Sequence, residues 1–117
     1  MMLALSLSAA AMALTAATHS WLGERRLIKP ILAINTGVVA APLGRKVLRF
    51  AWHFTSILML VCAALVVWPG TPRAIIAITG GVWLAVGLFD GIYTRGQHVG
   101  WPLLSAAGAL ALWGALA

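Results

Sequence analysis

Three histidines and two acids carry most of the chemistry available to this sequence: His19, His53, His98, Glu24 and Asp90. Two or three imidazoles with a carboxylate suit Zn, Fe, Ni or Cu. Two histidines at one level on neighbouring helices also suit axial ligation of a haem b. The chain has no His-x-x-x-His or His-Glu-x-x-His spacing, so the fold itself must assemble any such site. The expected ligand set is His19, His53, Asp90 and His98, with Glu24, Tyr93 and Arg95 around it. A second chemistry comes from Arg25, Arg26, Arg45, Lys46 and Arg49, charge-assisted donors for a phosphate at lipid-headgroup depth. His and Asp would then act as acid and base on the bound headgroup. In a third, structural reading, His53 and Asp90 pair with Arg49, Arg95 or each other and cap a bundle. The single cysteine, Cys62, sits among Val61, Ala63 and Ala64 and reads as a small buried hydrophobe.

The elements that must position these residues follow from composition. Of 117 residues, 62% are hydrophobic and 9% are charged. Average soluble domains are about 45–50% apolar and about 25% charged. A soluble globule, a disordered chain and a disulfide scaffold are therefore excluded, and an all-α polytopic membrane protein is expected. A spanning helix needs about 20 mostly apolar residues. Four segments fit: about 2–21, 50–68, 74–93 and 99–117, forming a single domain over 1–117. The first is read as a retained span, because no basic residue precedes it to make a signal peptide. The connections Pro69–Arg73 and Thr94–His98 are short and imply antiparallel neighbours. The connection over 22–49 is long. Its Glu24–Ile34 portion, charged at the start and apolar after, predicts a short interfacial helix.

Charge sets the expected orientation. The chain carries 8 Lys and Arg against 2 Asp and Glu. Arg25, Arg26, Lys29, Arg45, Lys46, Arg49 and Arg95 fall in the first and third connections, and only Arg73 in the second. The positive-inside rule makes the first side cytoplasmic and puts both termini on the other. The same distribution accounts for the basic balance without nucleic acid, for which no basic domain or stacking platform exists. All three histidines and both acids lie toward the cytoplasmic end. Trp21, Trp52 and Trp101 mark one interfacial level there. At about 1.5 Å per residue, His19 and His53 fall within roughly 3 Å of it.

Small residues supply the packing cues: Gly87 and Gly91 as a GxxxG, Gly80 and Gly81 before them, and Ala-rich first and last spans. They predict a compact four-helix bundle, and the GxxxG fits an internal contact or a homo-oligomer. In length and span number the chain resembles the small multidrug-resistance exporters, but its first span lacks their membrane-embedded Glu. The strings His19-Ser-Trp-Leu-Gly-Glu-Arg-Arg26 and Leu48-Arg-Phe-Ala-Trp-His-Phe-Thr-Ser56 are similar to those of uncharacterised small bacterial four-span proteins, a resemblance that implies a bacterial inner-membrane setting and no activity. The expected function is a membrane binding or accessory protein holding a metal ion or haem. The alternatives are an enzyme acting on anionic lipid headgroups and a structural subunit of a larger membrane complex.

Overall fold

The computed structural model describes residues 1–117 and is all-α, 85% helical, with four helices. They are α1 (Met2–Ile34), α2 (Pro42–Val67), α3 (Arg73–Tyr93) and α4 (Trp101–Leu116). The first three are long and apolar enough to cross a membrane. The fourth has 16 residues. At about 1.5 Å per residue it is about 24 Å long, so the expected fourth span over 99–117 is shorter than its apolar run. Val99 and Gly100 remain in the preceding turn, and Pro102 sits in the first turn of α4, where its missing N–H costs nothing.

The first helix departs most from expectation. The interfacial helix anticipated over Glu24–Ile34 is not a separate element. The α-helix Met2–Gly23 passes into one π-helical stretch, Glu24–Ile28, and continues as α-helix over Lys29–Ile34. Pro30 explains the π turn. Inside a regular helix a proline lacks one hydrogen bond, and its ring strikes the carbonyl four residues back, here that of Arg26. The wider turn just before Pro30, with the Lys29 N–H bonded to the Glu24 carbonyl, accommodates that conflict without ending the helix. α1 ends where Asn35 adopts a left-handed conformation, φ 53°, which Asn tolerates better than most residues.

The second helix also starts earlier than expected, at Pro42. The connection expected over 22–49 therefore shrinks to residues 35–41, and the ends of α1 and α2 form an antiparallel hairpin. Arg45 fastens its tip. Its Nη1 donates to the carbonyls of Leu32, at 2.8 Å, and Val39, at 3.1 Å. The last carbonyls of a helix have no partner within it, and a guanidinium there satisfies them and favours the negative end of the helix dipole. Arg45→Ala is expected to cost about 1 kcal/mol and to open residues 35–41 to protease. Limited proteolysis in detergent, with cleavage mapped by mass spectrometry, checks this.

The four helices make a flattened bundle. The molecule measures 51 × 31 × 18 Å. Neighbours run in the order α2, α1, α4, α3, while α2 and α3, although joined by a short turn, scarcely touch. The bundle is thus not closed as its short connections led one to expect. The core lies at the end away from the histidines, where Met12, Val66, Trp83, Ala107 and Ala111 pack together. Ser8 adds a buried hydrogen bond there, donating to the Ala107 carbonyl at 2.7 Å. The small residues do their work between α3 and α4: Gly80 meets Ala111 and the Gly108 backbone, and Gly87 meets Ser105. Gly91 packs on the Trp101 indole, so both glycines of the GxxxG serve contacts within the chain.

Candidate functional site

The polar residues expected in one cluster separate into three groups at the basic end. The first joins α1 to α2. Glu24 accepts from Arg49 Nε at 2.7 Å and from His53 Nε2 at 3.3 Å. His53 Nδ1 lies 2.9 Å from the Ser20 hydroxyl, which lies 2.6 Å from that of Ser56. Helical spacing makes this chain. Ser20 and Glu24 are four apart on one face of α1, and Arg49, His53 and Ser56, four and three apart, share one face of α2. The chain descends from half-exposed Arg49 to buried Ser56. Both nitrogens of His53 are engaged, leaving neither for a metal. Ser20 and Ser56 were not anticipated as its partners; their signal is that Ser20 lies four residues before Glu24 and Ser56 three residues after His53.

The second group is a reciprocal clasp. Trp52 Nε1 donates to the His19 carbonyl at 2.9 Å, and His19 Nε2 lies 3.2 Å from the Trp52 carbonyl. A carbonyl only accepts, so the proton is on Nε2 of that imidazole. The rings stack at 4.2 Å with an interplanar angle of 10°. Gly23 permits this: a Cβ there would collide with the indole of Trp52.

The third group closes the turn between α3 and α4. His98 Nδ1 meets Asp90 Oδ2 at 2.5 Å. The turn is shaped by a Schellman pair, Gly96 N–H to the Gly91 carbonyl and Arg95 N–H to that of Ile92, with Arg95 in the left-handed region at φ 53°. The Thr94 hydroxyl donates to the Asp90 carbonyl at 2.6 Å. Asp90 Oδ2 accepts the Nδ1–H of His98, which orients the imidazole and leaves Nε2 for another partner. Tyr93 is exposed and stacks on Phe89 instead of joining the acid.

Nowhere do three or more His, Cys, Asp or Glu side chains come close enough to hold a metal ion. The expectation of a His19, His53, Asp90 and His98 ligand cluster is therefore corrected. Depth along the helices places these residues at one end, but they face different neighbours: His53 turns to Glu24, His19 to Trp52, and Asp90 to His98.

The expected phosphate donors divide as well. Arg45 is held by backbone carbonyls and Arg49 by Glu24. Arg25 lies over the Trp21 ring, 5.1 Å from its centroid. Lys46 shares a shallow hollow with Pro42, Arg45, Arg49 and Phe50. Arg26 instead lines a deeper feature, a cleft of about 410 Å³ between α1, α2 and the start of α4. Leu22, Met59, Leu103 and Leu104 form apolar walls, with the clasped His19 and Trp52 on one side. Arg26, Gln97 and His98 are its polar components toward the basic end of the bundle, and Thr15 and Thr18 line its other part. Arg26 makes no ion pair. Sequence reasoning missed the cleft because its residues come from three separated stretches with no shared motif. Comparison with protein families, curated proteins and solved structures finds no match, so the cleft stands on its own geometry.

Proposed function

We propose that the protein is a multi-span membrane protein whose cleft at the basic end binds an anionic amphiphile. The membrane part rests on three helices of sufficient length and apolarity. It is supported by the large side chains left exposed along them, including Leu14, Ile57, Ile78, Val82 and Phe89. Soluble monomers rarely expose contiguous apolar patches beyond a few hundred Å². Seven of the eight basic residues lie at one end of the helices, which the positive-inside rule assigns to the cytoplasm.

The observation that carries the binding function is the cleft: apolar walls for a tail and an ion-pair-free Arg26 for a head. A guanidinium binds carboxylate or phosphate through paired charge-assisted hydrogen bonds. This reading ranks above a metal or haem protein because the His53 nitrogens are already committed and no ligand group converges. The test is native mass spectrometry of protein released from mild detergent. An anionic lipid or acid retained at one per chain, and lost in Arg26→Ala, is the expected result. Equal retention by wild type and variant overturns it.

Acid–base chemistry on the bound head is a second reading, favoured by the Asp90–His98 contact beside the cleft. A carboxylate partner fixes an imidazole's orientation and tautomer. Under this reading Asp90→Asn lowers turnover of an anionic lipid by about 10²-fold or more while leaving its binding within about twofold. Thin-layer or mass-spectrometric analysis of lipid incubated with each variant checks it; unchanged lipid with wild type ends that reading and leaves binding intact.

A further inference from the structure

The outward side of α2 carries an ordered pattern that the chain leaves without a partner. Leu43, Val47, Phe50, Phe54, Ile57 and Val61 follow one another at spacings of 4, 3, 4, 3 and 4 residues. At 100° per residue all six fall within an arc of about 80°. Each of them is exposed. Ser56, Ala63 and Val66, which α2 buries against the rest of the chain, lie on the opposite side of the helix. The alternation is that of the a and d positions of a coiled coil, whose side chains pack into holes on a facing helix. The Phe50 and Phe54 rings stack along it with centroids 5.5 Å apart.

Lipid accounts for only part of this seam. Trp52 marks the interface. Leu43 and Val47 precede it by nine and five residues, roughly 14 and 8 Å toward water. The headgroup layer on one side of a bilayer is about 5–8 Å thick, so Leu43 clears it and Val47 lies at its edge. Leu43 is nonetheless 72% exposed and Val47 54%. Because α2 begins at Pro42, both sit on regular helix. Arg45, Lys46 and Arg49 share this stretch, and none takes a seam position. Arg45 turns to the Leu32 and Val39 carbonyls and Arg49 to Glu24, away from the seam. Lys46 alone flanks it, at a g position. A g residue faces the e position of a parallel partner, which in a second copy is Ala51 and not another cation.

We propose that α2 pairs with the α2 of a second copy, as a parallel two-helix coiled coil that runs from inside the membrane to the water side. Two copies in one bilayer carry α2 in the same direction. A twofold axis along the membrane normal therefore sets each seam position opposite itself. Val47 and Val61 at a, with Leu43 at d, match the preference of two-stranded parallel coils. Trp52 and Met59, the α2 residues that line the cleft, lie on the side away from the seam, so each copy keeps its own open cleft. The proposal rests on the membrane placement above and not on what the cleft binds.

The full chain in phospholipid vesicles provides the test. Single cysteines are introduced in a Cys62→Ala background, and disulfide formation is followed under mild oxidation. Leu43→Cys, Val47→Cys and Phe50→Cys should give covalent dimers at least about fivefold faster than Thr55→Cys or Lys29→Cys, which are exposed but off the seam. Energy transfer between two dye-labelled populations of the wild-type chain should persist as protein is diluted in lipid. Val47→Lys places a charge at an a position on the water side and should weaken association about tenfold. Its helical circular dichroism spectrum and its retention of an anionic amphiphile should stay as in wild type. Cross-linking at equal rates on and off the seam overturns the proposal, and so does association indifferent to Val47→Lys. A wild-type chain that stays monomeric at every dilution also overturns it and leaves the seam to lipid or to another protein's helix. Amphiphile binding that survives any of these outcomes keeps the cleft's function standing, whereas a chain that does not insert into vesicles removes the membrane placement itself.

Discussion

Gly80→Ala is expected to destabilise the protein, while the same change at the adjacent Gly81 is expected to stabilise it. The two glycines share a helix, a composition and nearly the same depth, so propensity alone predicts equal gains of about 0.5–1 kcal/mol. Their surroundings differ. A Cβ at Gly81 meets nothing within 4 Å. One at Gly80 falls 2.8 Å from the Ala111 Cβ and 2.9 Å from both the Gly108 carbonyl oxygen and the Leu112 nitrogen. Two of those three atoms are backbone and cannot swing aside, so α3 and α4 must separate. Overpacking of this kind costs typically about 1–3 kcal/mol, which exceeds the propensity gain. Gly108→Ala should be worse, since its Cβ would strike the Leu84 backbone and the Gly80 carbonyl. Together the Gly80 and Gly108 changes should cost less than their sum, because separating the helices once serves both. Thermal unfolding in a fixed detergent, followed by circular dichroism, reads all four variants. Equal effects at Gly80 and Gly81 would show that α3 and α4 do not approach as described.

How far the sequence foretells this arrangement depends on which coordinate of a helix is in question. Position along the axis is legible, because it needs only the rise per residue: the histidines and acids fall at one end as counted. Direction around the axis is not, because it depends on which neighbour each face meets. His19 and Glu24 are five residues apart and point about 140° from each other at 100° per residue, so Glu24 can meet His53 while His19 meets Trp52. The limits of α1 and α2 were hidden for another reason. The six cations from Arg25 to Arg49 mark a connection between spans with a separate interfacial helix, yet the π turn absorbs Pro30 and the two helix ends support each other. Propensity is a weak prior that such packing overrides. The α3–α4 contact was the more legible because close approach leaves its mark in residue size. The cleft left no comparable mark, since Arg26, Met59 and Gln97 meet only once α1, α2 and the final turn are in place.

Removal of one acid should loosen the same α1–α2 pairing that forms a wall of the cleft. Glu24→Ala deprives Arg49 Nε and His53 Nε2 of their shared acceptor. Arg49 is 46% exposed and can turn to water, so its share of the loss is small, as for surface ion pairs worth about 0.2–1 kcal/mol. His53 is less free. Its other nitrogen is tied through Ser20 to buried Ser56, so losing Glu24 leaves a half-satisfied chain between the helices. A hydrogen bond to a charged group contributes about 1.5–3 kcal/mol; His53, 34% exposed, recovers part of that from water, and the total expected for Glu24→Ala is about 2 kcal/mol. Glu24→Gln separates charge from hydrogen bonding. Its amide oxygen still accepts from one partner, and it should recover about half of the loss. A double-mutant cycle between Glu24→Ala and His53→Ala should give a coupling of about 1 kcal/mol, since each variant removes the same contact. The Arg49 cycle should give less. Additive losses for Glu24 and His53, within about 0.3 kcal/mol, would mean that the chain from Arg49 to Ser56 does not hold the helices together. Because Trp52 lies next to His53 on α2 and rests on Gly23 beside Glu24, a real coupling should also appear in the cleft. Trp52 fluorescence should shift to longer wavelength in Glu24→Ala and return toward wild type in Glu24→Gln.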